Sequence, residues 1–135
     1  MRVQWLIDEI LKLIPPSSAL VIRPQYTSED FTLPDFDNNN AWHDLDLSGI
    51  VPDKAYAVVA NLRIGATASS ESTRWRTKGS TTEFGAVKAG TYPVGSIRWH
   101  QLIIACDSDR IIQYRNTPGS WTYLDFNVYG WFLGP

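Results

Sequence analysis

Apolar residues at Val3, Leu6, Ile7, Ile10, Leu11 and Ile14 recur three and four positions apart, with Gln4, Asp8, Glu9 and Lys12 between them. That spacing puts the apolar side chains on one face of an amphipathic helix. Pro15-Pro16 ends it, because a residue before proline is pushed out of the α region. Residues 1–16 are therefore expected to form an N-terminal helical element of about twelve residues, too few to hold a helix alone in water. Its apolar face must dock. It packs either on the chain's own body or, through Val3, Leu6, Ile7, Ile10 and Ile14, on symmetry mates or a larger partner.

After Pro16 the apolar period changes to two. Tyr56, Val58, Ala60, Leu62 and Ile64 alternate with Ala57, Val59, Asn61 and Arg63, the signature of a strand with one face in the core. Trp121–Phe132 alternates in the same way, with Leu124, Phe126 and Val128 on one face and Tyr123, Tyr129 and Trp131 opposite. Further strands are predicted at Ala19–Arg23, Trp42–Leu47, Ser72–Lys78, Ile97–Cys106 and Arg110–Arg115, the last two joined by a hairpin at Asp107-Ser108-Asp109. Gln25–Asn40 reads as a long surface excursion. Lys78–Gly95 reads as a second loop. No second helix falls between strands, so a parallel βαβ sheet is excluded. The expected fold is all-β, an antiparallel two-sheet sandwich of jelly-roll type over residues 17–135, with a short N-terminal α-helix. The 29 Val, Ile and Thr residues agree with it.

Composition narrows function mainly by exclusion. Twelve Lys+Arg against fourteen Asp+Glu give a net charge of −2, which argues against nucleic-acid binding. No run approaches the roughly 20 apolar residues that cross a membrane. The single Cys106 cannot form an internal disulfide or a multi-cysteine zinc site. Phosphate loops, nucleophile elbows and H-E-x-x-H pairs are missing from the sequence. His100 and Cys106, on one strand, stand about 20 Å apart and cannot form a catalytic pair. Asp35, Asp37 and Asn39 alternate like calcium ligands, with Asp46 beyond. Asn40 stands where that loop needs glycine, and Asp46 replaces its bidentate glutamate, so a hydrophilic turn is expected. The reading is of a non-enzymatic protein with no cofactor, no resident metal and no catalytic residues.

The aromatics say more. Trp42, Trp99 and Tyr114 are expected to fill the sandwich. Tyr123, Tyr129 and Trp131, beside Asp125 and Asn127, form a candidate stripe that is a glycan platform, a subunit interface or a seat for the N-terminal helix.

Three stretches carry a resemblance: Trp42-His43-Asp44-Leu45-Asp46-Leu47-Ser48-Gly49-Ile50-Val51-Pro52, then Asp107–Arg115, then Trp121–Trp131 closing on Tyr129-Gly130-Trp131. Over residues 42–132 this order resembles a small β-sandwich module of structural proteins of tailed bacteriophages and prophages, in tail, fibre or head-appendage chains. The resemblance implies a virion location, other virion proteins as partners, and assembly as a homo-oligomer, with trimers favoured. It brings no catalytic residues with it. The alternative is a carbohydrate-binding sandwich that recognises host-surface glycans. The helix and the Gln25–Asn40 stretch have no counterpart in the module and are candidates for an attachment element.

Overall fold

Among the described residues, alternating sequence and turn residues set out eight strands: β1 (Ala19–Ile22), β2 (His43–Asp46), β3 (Ala55–Ala66), β4 (Ser72–Thr77), β5 (Val87–Gly90), β6 (Arg98–Ala105), β7 (Ile111–Asn116) and β8 (Trp121–Leu133), preceded by α1 (Arg2–Leu11). This computed structural model describes residues 2–11, 19–24, 28–81 and 85–134. The strands form two antiparallel sheets, β1-β8-β3-β6 and β2-β7-β4-β5. Strand 1 pairs with 8, 2 with 7, 3 with 6, and 4 with 5. One long hairpin wrapped around a shared core has this order, and it is a jelly roll.

The core lies between the sheets. Val58, Ala60, Leu62 and Ile64 of β3, Leu124, Phe126 and Val128 of β8, Leu102 and Ile104 of β6, and Trp75, Ile112 and Tyr114 from the other sheet are all buried. Trp75 stacks on Phe126 with centroids 4.5 Å apart, and Phe36 meets Trp75 and Tyr114 edge-on at 5.9 and 5.0 Å. Aromatic contact across the layers therefore ties one sheet to the other.

Three local departures from the sequence pattern have identifiable causes. In β8, Val59 opposes Gly130 while Ala60 opposes Val128, so Tyr129 is an extra residue in its strand. Such a bulge reverses the side-chain alternation beyond it. Trp131, expected on the outer face with Tyr123 and Tyr129, consequently packs half-buried against the core. A second irregularity at Ala55/Ala57 sends Tyr56 outward against Phe132, and Ala55 takes the core position. Gly130 also brings strands close, since a Cβ there would lie 2.4 Å from the Val21 carbonyl oxygen.

The second departure is in Gln25–Asn40, which is more than a surface excursion. Phe31 bridges to Phe126 of β8, Leu33–Asp35 make one turn of 3-10 helix, and Phe36 is buried. The segment runs beside β8 and adds three apolar plugs to the core, Phe31, Leu33 and Phe36. The third is β5, a strand inside the predicted loop Lys78–Gly95, created by pairing Ser72–Trp75 with Val87–Gly90. The hairpin expected at Asp107 is a tight turn only: Asp107 Oδ1 accepts hydrogen bonds from the Asp109 and Ile111 amides at 3.0 and 2.8 Å, but β6 and β7 belong to different sheets, so the chain crosses between the layers there instead of pairing the two strands.

One buried acid controls the β4 entrance. Glu71 is 5% exposed and accepts hydrogen bonds from the Ser69 and Thr117 hydroxyls, both at 2.5 Å. Burial pushes its carboxyl up, but these hydroxyls and the Ser120 amide outweigh burial and hold it below the ordinary value. A carboxyl depressed in the folded state stabilises above its unfolded pKa, and that stability is lost as pH falls through the folded value. The melting temperature is expected to fall between roughly pH 5 and pH 3. Glu71→Gln should lower it at pH 7 and flatten that acid slope, as calorimetry across pH would report. An unchanged slope would remove Glu71 as the cause.

Candidate functional site

Two surfaces stand out once the core residues are accounted for. The first is α1. Its apolar face carries Val3 at 69% exposure, Leu6 at 53% and Ile7 at 44%, while Trp5, 64% exposed, stands on the opposite side between Asp8 and Glu9. Gln4 and Asp8 are bonded to each other on the polar side (Nε2 to Oδ1, 3.0 Å). The alternative that this helix packs on its own sandwich is not what these residues do. The Ile10 side chain and all of Ile14 lie outside the described residues.

The second surface is the outer face of the β1-β8-β3-β6 sheet, where the side chains opposite the core of β3 and β8 meet those of β6. Arg63 lies opposite Trp99 on one side and Asp125 on the other. Its Nε donates to Asp125 Oδ2 at 2.6 Å, and its Nη2 reaches the same oxygen and, at 3.1 Å, Glu29 Oε1. The guanidinium lies 4.6 Å from the Tyr123 ring centre and 5.5 Å from that of Trp99. One cation therefore bridges two aromatic faces and two acids. Next along the strands, Gln101 Nε2 donates to Asn61 Oδ1 at 3.3 Å. Trp99 is 69% exposed, so it does not fill the sandwich as expected, and Ile103 is 61% exposed on the same face.

Of the predicted stripe, Tyr123 and Tyr129 keep more than a third of their surface exposed, while Trp131 is turned inward by the bulge. The three do not form one platform. The sequence reading passed over Arg63 and put Trp99 in the core. Their signal was the odd-numbered alternation of β3 and β6, which puts both opposite the core residues.

The other sheet presents a polar chain across β2, β7 and β4. Arg76 lies 3.8 Å over the Trp42 ring and donates to Gln113 Oε1 at 2.9 Å. Gln113 Nε2 donates to Asp44 Oδ1 at 2.9 Å, and Lys78 Nζ lies 2.9 Å from Asp44 Oδ2. The Gln113 hydrogen bond and then Lys78 hold the Asp44 carboxyl below its usual range. Exposed pairs of this kind contribute little stability.

The oxygens weighed as calcium ligands are spent separately. Asp35 Oδ2 accepts the Thr32 amide at 2.8 Å, Asn39 Oδ1 accepts the Ala41 amide at 3.2 Å, and Asp46 Oδ1 accepts the Ser48 amide at 2.9 Å. Among the described residues, no three His, Cys, Asp or Glu side chains gather as a metal set. Cys106 is buried with Sγ 3.4 Å from the Ala55 carbonyl oxygen, and burial, helped by the charge of Asp107, pushes its thiol up. A thiol held protonated is a poor nucleophile.

Fold and surface together define a jelly-roll domain with an exposed apolar helix and an aromatic, arginine-bridged sheet face. Comparison of the sequence with protein-family models and with curated proteins finds no match.

Proposed function

We propose that this protein is a non-enzymatic structural subunit of a bacteriophage virion, a capsid-decoration, head-fibre or tail-fibre component that works through protein–protein assembly. The observation that carries the reading is the apolar face of α1, with Val3, Leu6 and Ile7 all exposed on an element too short to hold itself in water. Such a face calls for a partner, which here is another virion protein or further copies of the chain, with a trimer as the favoured closed assembly. The architecture supports it by analogy, since jelly rolls recur in viral capsid domains. The resemblance over residues 42–132 points the same way.

The carbohydrate-binding alternative draws on the same fold, which lectins also use. Its best support is the exposed Trp99 beside Tyr123, with Asn61 and Gln101 as polar neighbours. Against it, one face of each ring is already covered by Arg63. Trp99→Ala should leave binding on a broad glycan array unchanged; its loss would favour the sugar reading.

The test of the main reading is the assembly state. Replacing Leu6 and Ile7 together by Glu should abolish the higher oligomer, or attachment to particles, in light scattering and sedimentation, with the circular-dichroism spectrum of the sandwich retained. A mass unchanged by the double replacement overturns the role of α1.

A further inference from the structure

We propose that β6 is a second, self-complementary interface, through which two copies of this chain join their sheets edge to edge about a two-fold axis. The proposal goes beyond the virion reading and does not depend on α1.

Four strands end the two sheets. Three of them, β1, β2 and β5, have four residues each, and short edges are a common protection against unwanted pairing. β6 has eight. Its pairing with β3 runs from Ala57↔Ala105 to Ile64↔Arg98 without a register shift, so no bulge twists it away. Trp99 to Ala105 include no proline, glycine, lysine or acid. Among the described residues, no strand pairs with its other side.

The backbone orientation of this edge follows from one bond. The Cys106 amide donates to the Tyr56 carbonyl at 3.0 Å, which makes that a hydrogen-bonded pair of the β3–β6 ladder. Such pairs alternate in an antiparallel ladder. Ile104, Leu102 and His100 therefore bond to β3, and the N–H and C=O of Ile103, Gln101 and Trp99 point to the free edge. Consistently, the Ala105 carbonyl turns away from β3 and accepts the Thr77 hydroxyl at 2.7 Å. That contact closes the edge at Ala105 and leaves Trp99, Gln101 and Ile103 as its available residues.

Antiparallel pairing centred on Gln101 uses all three. Gln101 meets the partner's Gln101, and Trp99 meets the partner's Ile103 twice over, each pair exchanging two N–H···O bonds. The side chains of these same residues lie on the outer face, with Trp99 69% and Ile103 61% exposed, and aromatic–β-branched pairs are favourable across strands. Charge is complementary as well. β6 begins at Arg98 and is followed by Asp107 and Asp109, so antiparallel pairing brings the cationic end of each copy to the acidic end of the other. A two-fold contact of this kind, combined with a different symmetry at α1, would link copies into a larger array.

The experiment uses the full chain. Gln101→Cys, oxidised at micromolar concentration, should yield a disulfide-linked dimer as the main species, because paired Cα atoms in such a ladder are about 5.5 Å apart, within disulfide reach. Thr122→Cys, exposed on β8, should not. Adding the Leu6 and Ile7 replacements should leave the Gln101→Cys cross-link intact, which separates this interface from the helix. Gln101→Pro, removing an N–H that faces the free edge, and Trp99→Lys should each weaken dimerisation at least about tenfold in sedimentation. Both should keep the wild-type circular-dichroism spectrum. Equal cross-linking at Gln101 and Thr122, or dimer affinity indifferent to both edge variants, overturns the proposal.

Discussion

Phe126→Ala is expected to lower the unfolding free energy by about 3–5 kcal/mol, a large share of the roughly 5–15 kcal/mol that holds a domain together. Phe126 is fully buried on β8, which is flanked by β1 and β3. Its ring stacks on Trp75 of the opposite sheet at 4.5 Å and touches Phe31 at 6.2 Å. Truncation therefore removes contacts that link both sheets and the plug segment, and rigid strands on either side cannot collapse into the cavity. Urea unfolding followed by tryptophan fluorescence measures the loss. Phe126→Leu, which keeps most of the volume, should cost well under half as much. Equal losses for the two variants would show that the stack is not what joins the layers.

The next largest effect is expected at Arg63. Its partner Asp125 has a side chain only 6% exposed, against 26% for Arg63. Arg63→Leu leaves a buried carboxylate with no cation beside it, a change that costs about 3–5 kcal/mol where a buried pair is broken from one side. Glu29, which is more exposed at 44%, loses its contact at little cost. The double variant Arg63→Leu with Asp125→Leu should recover most of the lost stability, because an apolar replacement of both partners removes the stranded charge. Chemical denaturation of the two single variants and the double completes the cycle. Additive losses would show that the two side chains act independently. The same variants bear on the surface, since Arg63 orders the Trp99 and Tyr123 rings beside the β6 edge.

Several elements were legible because their signal is local. The helix over residues 2–11 was written in three-and-four spacing. β3 and most of β8 were written in alternation, and the turn at Asp107 in the turn preference of Asp-Ser-Asp, though that this turn crosses from one sheet to the other was not. The buried set Val58, Ala60, Leu62, Ile64, Leu124, Phe126 and Val128 came directly from that period. β5 was not legible. Four residues with two apolar side chains, Val87 and Ala89, give no usable period, and the segment is a strand only because β4 supplies its partner. Trp131 was assigned to the wrong face because a bulge at Tyr129 resets parity. A glycine inside a strand, here Gly130, signals a bulge or a close backbone approach, but which residue is the extra one is defined only relative to β3.

The candidate surfaces divide in the same way. The apolar stripe of α1 could be read from the chain alone. The cluster of Arg63, Trp99, Tyr123 and Asp125 could not, because its members come from three strands that are distant in sequence and adjacent only through pairing.

By itself, then, the amino-acid order determined which residues are helical or extended, which faces are apolar, and that strands without intervening helices must build an antiparallel two-layer fold. These are properties of neighbours along the chain, set by backbone periods of 3.6 and 2. Tertiary structure decided which strands become edges, where the bulges fall, that Phe31 and Phe36 plug the core, and that α1 and β6 keep apolar surface in solvent. Those depend on contacts between residues far apart in sequence, whose geometry is fixed only when the sheets close on each other.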